Sequence, residues 1–178
     1  GIASAHAGRD DRLRVVPASG AGLIDALNEG LRRCRAPLVA RMDADDLMHR
    51  DRLAAQAHAF EQDPGLSAVG CHVRLFPRAK LSRRLREYEA WLNSLRSPDD
   101  VARDAFVECP IAHPSLMMRR DVAALGYADR GWPEDYDLVL RALGAGMRIG
   151  VVPRRLLWWR DRADRHSRTD GRYALDRF

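Results

Sequence analysis

Residues 38–53, LVARMDADDLMHRDRL, pass from an apolar run through three carboxylates into a helix-like pattern. Asp43, Asp45 and Asp46 therefore stand where a predicted strand ends. In open parallel sheets, ligands bind beyond the carboxyl ends of the strands. Three neighbouring acids repel one another unless positive charge neutralises them. The stretch predicts either a solvated turn or a divalent metal site, and its place after a strand favours the metal; Asp46 alternatively caps the next helix.

Strand-like and helix-like segments alternate on both sides of this stretch. Strands are predicted at 12–18, 36–42, 66–76, 113–120 and 147–159, and helices at 22–34, 50–64, within 82–107 and at 134–146. Ser97 is predicted to cap a helix that has Pro98 at its first position. This order predicts the α/β class, as a three-layer α/β/α sandwich with a mainly parallel central sheet.

The length and composition are those of a single globular domain. At 178 residues, with 46% hydrophobic and 31% charged residues, the chain is long enough to bury a substantial core, and we assign residues 1–178 to one domain. No apolar run approaches the roughly 20 residues that span a bilayer. The first residues lack the order of a signal peptide. We therefore expect a cytoplasmic protein.

The net charge of +5 comes almost wholly from arginine, since Lys80 is the one lysine. Arginine suits phosphate, because its planar fork binds oxyanions through two hydrogen bonds. The arginines are scattered among acids, however, and no nucleic-acid-binding module is recognisable. The sequence therefore predicts that nucleic acid is not a partner.

A second acidic pair, Glu134 and Asp135, stands at the start of the last predicted helix, beside Trp132. Acids in a first helical turn are favoured by the helix dipole alone. The functional alternative is a general base that takes a proton from an acceptor hydroxyl. Trp132 would suit stacking on a sugar ring, and a core tryptophan is equally compatible with the pattern.

A basic, aromatic segment, LLWWRDRADRHSRTD at 156–170, closes the pattern. Its cationic groups would suit a diphosphate leaving group; they are Arg160, Arg165, His166 and Arg168. The alternative is a strand followed by a solvated loop. His113 is interpreted as a structural residue.

Four segments, taken in order, resemble a known family. GLIDALNEGLRRCRAPLVARMDADDLMHRDRLAAQ at 22–56 is similar to the central segment of family 2 glycosyltransferases of the GT-A fold, in which a strand ends in a D-x-D motif. AHPSLMMRR, PEDYDLVLRALGAG and the basic aromatic segment resemble later family segments. The D-x-D motif alone is weak, whereas the four segments in order are specific.

The resemblance implies a role for each matched residue. Asp45 would be the direct ligand of Mg²⁺ or Mn²⁺, with Asp43 also at the metal and nearer the ribose or sugar of the donor. Asp135 would be the catalytic base, with Glu134 beside it at the acceptor site, where Trp132 is also placed. Arg160 and His166 would lie near the diphosphate of the nucleotide sugar.

The implied reaction moves a sugar from a nucleotide-diphosphate sugar to a hydroxyl acceptor with inversion at the anomeric carbon. A glycan or lipid-linked acceptor would fit the bacterial cell-envelope polysaccharide enzymes of the family, as would peripheral contact with the inner face of the plasma membrane. The family's first strands, which hold the nucleotide base, have no counterpart after Gly1. We therefore expect a partial domain, shortened at its start and also at its end.

Two other functions remain compatible with the sequence. A phosphoryl-transfer enzyme would use the same acids as its metal centre, but residue 47 is leucine where a D-x-D-x-[TV] pattern would need threonine or valine. A non-catalytic binding module related to the transferases would keep the acids without turnover.

Overall fold

Apolar segments of the chain form a curled sheet of five strands. The computed structural model describes residues 1–17, 20 and 22–162. Their strands are β1 (Leu38–Ala40), β2 (Leu47–Met48), β3 (Leu66–Phe76), β4 (Met117–Arg119) and β5 (Arg148–Arg160), arranged across the sheet as β1-β4-β3-β5-β2. The register between the long strands β3 and β5 shifts on either side of His72. Irregularities of this kind bend strands, so they contribute to the curl.

The prediction of a mainly parallel sheet is wrong for the described residues. Only β3 and β5 pair in parallel; β4 is antiparallel to β1 and to β3, and β2 is antiparallel to β5. Nevertheless β1, β3 and β5 all run in one direction, as the alternation of strands and helices predicts. The difference arises because β4, entered through a 3₁₀ turn rather than a crossover helix, inserts between β1 and β3 in the opposite direction.

The described part of the chain forms seven α-helices. They are α1 (Ile2–Ala7), α2 (Leu23–Arg33), α3 (Arg52–Gln62), α4 (Arg83–Leu92), α5 (Pro98–Asp104), α6 (Arg120–Leu125) and α7 (Glu134–Gly144), with 3₁₀ turns at Arg78–Lys80 and His113–Ser115. The predicted cap of α5 is confirmed: the Ser97 hydroxyl accepts from Asp100 N–H, and the Asp100 carboxylate accepts from Ser97 N–H. None of these helices is long and apolar enough to cross a membrane.

The predicted strand at 12–18 is wrong, because residues 12–17 form no regular element. Leu13, Val15 and Val16 remain 48%, 53% and 38% exposed. A strand forms only where a neighbouring strand pairs with it. Among the described residues, β1 is an edge strand, and no strand pairs with residues 12–17.

Helices pack on both faces of the sheet, as expected for the α/β class. Adjacent strand residues belong to opposite faces, so Met118 packs in one apolar cluster and Met117 in the other. The first cluster includes side chains of α2, α6 and α7, and the second includes side chains of α3 and α4. The acidic turn follows β1, at the edge of this sandwich.

Candidate active site

The acidic turn leaves β1 at Arg41 and is fixed at both ends by its backbone. Arg41 N–H donates to the carbonyl of Leu116 at 2.9 Å, and Asp46 N–H donates to the carbonyl of Asp43 at 3.3 Å. The side chains of Asp43 and Asp45 are 36% and 42% exposed. Both carboxylates are therefore accessible beyond the carboxyl end of β1.

Arg41 holds Asp43 through two contacts. Its Nη1 donates to Asp43 Oδ2 at 2.6 Å, and its Nη2 lies 2.5 Å from Asp43 Oδ1. The Arg41 side chain is 13% exposed, so this pair is largely shielded from water. A bidentate arginine–carboxylate pair fixes direction as well as charge. Sequence reasoning missed Arg41; the available signal was a lone cation inside an apolar run immediately before three acids.

Asp46 is buried and connects the turn to β5. Its Oδ1 accepts the backbone N–H of Arg160 at 2.7 Å, whereas its buried Oδ2 has no hydrogen-bond partner in the described structure. Burial, together with the nearby Asp43 and Asp45, raises the pKa of Asp46 to about 6. The prediction that Asp46 caps the next helix is wrong, because β2 intervenes and Asp51 occupies the N-cap of α3.

Replacing Asp46 with asparagine is expected to stabilise the metal-free protein. Because the pKa of this carboxyl is about 6 in the folded chain and lower in the unfolded one, its ionised form opposes folding above pH 6, and the penalty disappears below about pH 4. The asparagine side chain would keep the oxygen that accepts from Arg160. Chemical unfolding in a chelating buffer should show a gain of about 1–3 kcal/mol at pH 7.5. A gain of equal size at pH 4 would contradict the electrostatic explanation.

Arg160, at the end of β5, contacts the acidic turn directly. Its Nε donates to the carbonyl of Asp45 at 2.6 Å, and its guanidinium lies 4.4 Å from the ring centroid of Phe76. Arg162 Nη1 is 3.9 Å from Asp45 Oδ2. Arg160 thus lies beside the D-x-D motif, and its role near the diphosphate stays a prediction. His166, Arg165 and Arg168 lie outside the described residues.

The second acidic pair opens α7 after Pro133. Glu134 is buried at 1% exposure, while the side chain of Asp135 is 21% exposed. Burial raises the pKa of Asp135 to about 6, and repulsion from Glu134 adds to the rise. The N–H of Tyr136 donates to Asp135 Oδ1 at 2.9 Å, and this hydrogen bond partly offsets the rise in pKa. A carboxylate that titrates near neutrality and remains reachable suits a general base.

Arg41 is the group that links the two acidic sites. While bound to Asp43, its charge also lowers the pKa of Asp135 and of His113. Burial holds the pKa of His113 well below its ordinary value, so the imidazole is neutral. His113 Nε2 lies 2.8 Å from the Tyr127 hydroxyl and Nδ1 lies 4.0 Å from Asp135 Oδ2. The 3₁₀ turn of His113 also leads into Leu116, whose carbonyl accepts from Arg41 N–H, so this turn connects the acidic turn to the neighbourhood of Asp135.

Trp132 lies just before this pair and is partly buried. Its ring centroid is 6.1 Å from that of Tyr136, with the planes inclined by 42°. Tyr136 in turn donates its hydroxyl to the carbonyl of Ala105 at 2.6 Å. The Trp132 ring therefore packs at the start of α7 and stays partly exposed.

The acidic turn fits a cation that shares its coordination with a substrate. Among the described residues there is no cluster of three or more histidine, cysteine or acidic side chains able to hold a metal by themselves. Asp43 and Asp45 instead offer accessible carboxylate oxygens, the ligands that Mg²⁺ and Mn²⁺ prefer. Mg²⁺ typically takes one or two protein carboxylates and completes its shell with water and phosphate.

Comparison with known proteins assigns the chain to a family. The model of glycosyl transferase family 2 matches residues 1–126. The chain is 31% identical over 134 residues to the amylovoran biosynthesis glycosyltransferase AmsE of Erwinia amylovora, covering 74% of this chain and 48% of that protein. It is 31% identical over 139 residues to the O-antigen biosynthesis glycosyltransferase WbnJ of Escherichia coli, covering 75% and 50%. The chain thus spans about half the length of these curated relatives.

Solved structures share the fold. A mannosyltransferase of Pyrobaculum calidifontis, in complex with GDP-Man and Mn²⁺, matches with a TM-score of 0.56 at 22% identity, over 84% of this chain and 40% of that one. TarS of S. aureus (residues 1–349), in complex with UDP-GlcNAc, matches with a TM-score of 0.53 at 14% identity, over 85% and 42%. These likenesses confirm the predicted GT-A-like fold. The match to the family model over residues 1–126 shows that the chain belongs to glycosyl transferase family 2.

Proposed function

We propose that this chain forms the catalytic part of an enzyme that moves a sugar from a nucleotide-diphosphate sugar to a hydroxyl acceptor. The observation that carries the proposal is the accessible Asp43–Asp45 turn, held by Arg41, in a chain of this family that also carries the partly exposed Asp135. The names of AmsE and WbnJ place those relatives in polysaccharide biosynthesis, which supports a glycan or lipid-linked acceptor.

The donor side of the reaction belongs to the acidic turn. Asp45 and Asp43 would hold Mg²⁺ or Mn²⁺, which when bound stabilises the charge that develops on the departing diphosphate. Arg41 fixes the direction of the Asp43 carboxylate, and Arg160 fixes the Asp45 carbonyl. The turn is thereby held before the donor arrives, so less ordering is required on binding.

The acceptor side belongs to α7. Asp135 takes the proton of the acceptor hydroxyl onto a carboxylate oxygen as that hydroxyl attacks the anomeric carbon. Attack from the face opposite the diphosphate is a direct displacement and inverts the anomeric configuration. Trp132 offers its partly exposed ring to the acceptor sugar, and burial, together with the charge of Glu134, keeps the pKa of Asp135 raised.

The pH dependence of turnover tests this proposal. With the whole natural polypeptide, Mn²⁺ and a panel of nucleotide sugars and glycan acceptors, nucleoside diphosphate release should rise with pH through about 6 and then level off, because only ionised Asp135 accepts a proton. Below that point the rate should fall about tenfold per pH unit. Asp46→Asn is the control, since Asp46 also has a raised pKa but its replacement should leave the inflection in place. Absence of turnover with every donor would contradict the proposal.

A further inference from the structure

Arg52, the first residue of α3, is a cation buried in the core. Its exposure is 0%, and its Nη1 has no hydrogen-bond partner in the described structure. Burial of a charge without a close partner is strongly unfavourable unless hydrogen bonds and nearby opposite charge compensate. The proposed chemistry of transfer does not use this side chain.

The hydrogen bonds of Arg52 connect the centre of the sheet to the acidic turn. Its Nε donates to Gln56 Oε1 at 2.9 Å, and its Nη2 donates to the carbonyl of Arg41 at 2.8 Å. Gln56 Nε2 donates to the carbonyls of Val69 on β3, at 3.0 Å, and Ser115 before β4, at 2.8 Å. Gln56, Arg52 and Arg41 therefore form a relay, which ends where Arg41 Nη1 meets the carboxylate of Asp43.

The relay also brings positive charge close to the acids. Two buried side-chain atoms of the described structure have no hydrogen-bond partner, and they carry opposite charge: Arg52 Nη1 and Asp46 Oδ2. The charge of Asp46 favours the ionised form of Arg52, which burial disfavours. Arg52 and Asp46 are therefore close enough for their charges to interact.

We propose that Arg52 is a positioning residue, which fixes the backbone of the acidic turn so that Asp43 and Asp45 are ready for the cation and the diphosphate. The inference rests on the proposed function and deepens it, since Arg52 acts through Arg41 and touches no substrate. Lysine would not replace it, because one ammonium group cannot reproduce two donors set at a fixed angle. Outer contacts of this kind, when removed, weaken metal affinity by about 10–100-fold.

Manganese binding tests the role of Arg52. In the whole natural polypeptide, Arg52→Lys keeps the positive charge and loses the planar guanidinium with its two donors. The control is Phe60→Leu, on the same helix, buried at 4% exposure and outside the relay. The affinity for Mn²⁺ is measured by electron paramagnetic resonance of the free ion in the presence of UDP, GDP, CDP or dTDP, and Tm is recorded for each variant.

Arg52→Lys should weaken Mn²⁺ binding by about 10–100-fold, while Phe60→Leu, at a similar loss of Tm, stays within about twofold of wild type. At saturating Mn²⁺ the kcat of Arg52→Lys should return close to wild type, because Asp135 is unchanged. If Arg52→Lys does not fold, Gln56→Met should weaken Mn²⁺ binding in the same direction. Equal affinities in the relay and control variants would overturn the positioning role alone, whereas a wild type that binds no Mn²⁺ with any of the nucleotides would overturn the proposed function as well.

Discussion

Asparagine in place of Asp135 is expected to reduce transfer by about 10²–10⁴-fold while donor binding stays close to wild type. The amide keeps the shape of the side chain and the oxygen that accepts from Tyr136, but it cannot take a proton. The donor site is unaffected, because Asp43 and Asp45 belong to another element. The rate that remains should also lose its inflection near pH 6.

The measurement compares product formation, followed by mass spectrometry, with donor affinity, followed by calorimetry. Asp99→Asn is the matched control, since Asp99 is an exposed acid in the first turn of α5. It should leave the rate unchanged. Wild-type turnover by Asp135→Asn would remove Asp135 from the reaction. A binding module without catalysis would instead show donor affinity and no transfer in wild type.

Alanine in place of Asp45 is expected to weaken metal-dependent donor binding by about 100-fold or more, because the variant loses a direct ligand rather than an outer contact. The half-exposed side chain makes little contribution to folding, so Tm should change little. Asp51→Ala is the control, since Asp51 is similarly exposed at 46% and lies on the surface with Arg154.

Calorimetry of each variant with the best donor, with and without Mn²⁺, separates the metal contribution from the rest. Asp51→Ala should retain the gain in affinity on adding Mn²⁺, and Asp45→Ala should lose it. Equal gains in the two variants would show that the cation is bound by residues other than Asp45.

Local patterns predicted most of the helices and the long strands. The spacing of Leu23, Leu27 and Leu31 predicted α2, and the serine–proline start predicted α5, because these signals act within a few residues of the chain. The strand at 12–18 failed for the opposite reason. Its β-branched residues indicate a strand only where another strand lies beside them, and that depends on distant chain.

The candidate site divides in the same way. Asp43, Asp45 and Asp135 were visible because acids after a strand or at a helix start are recognisable in sequence. Their roles in metal binding and proton transfer stay predictions.

The supports of the turn were not visible, because each depends on contact between distant segments. Asp46 pairs with the backbone of residue 160. Arg52 looks like an ordinary helix residue until the fold buries it beneath residue 41. Nothing near either residue in the sequence distinguishes it from a surface residue, and the packing of β5 and α3 against the turn buries both.

The central claim is that Asp43 and Asp45 hold the cation that binds the donor diphosphate. Anomalous scattering from Mn²⁺, in crystals of the whole natural polypeptide soaked with its nucleotide sugar, tests this most directly. We predict a manganese peak against the Asp45 carboxylate, with diphosphate oxygens on its other side. A bound nucleotide sugar with manganese at some other site, or with none, would contradict the account.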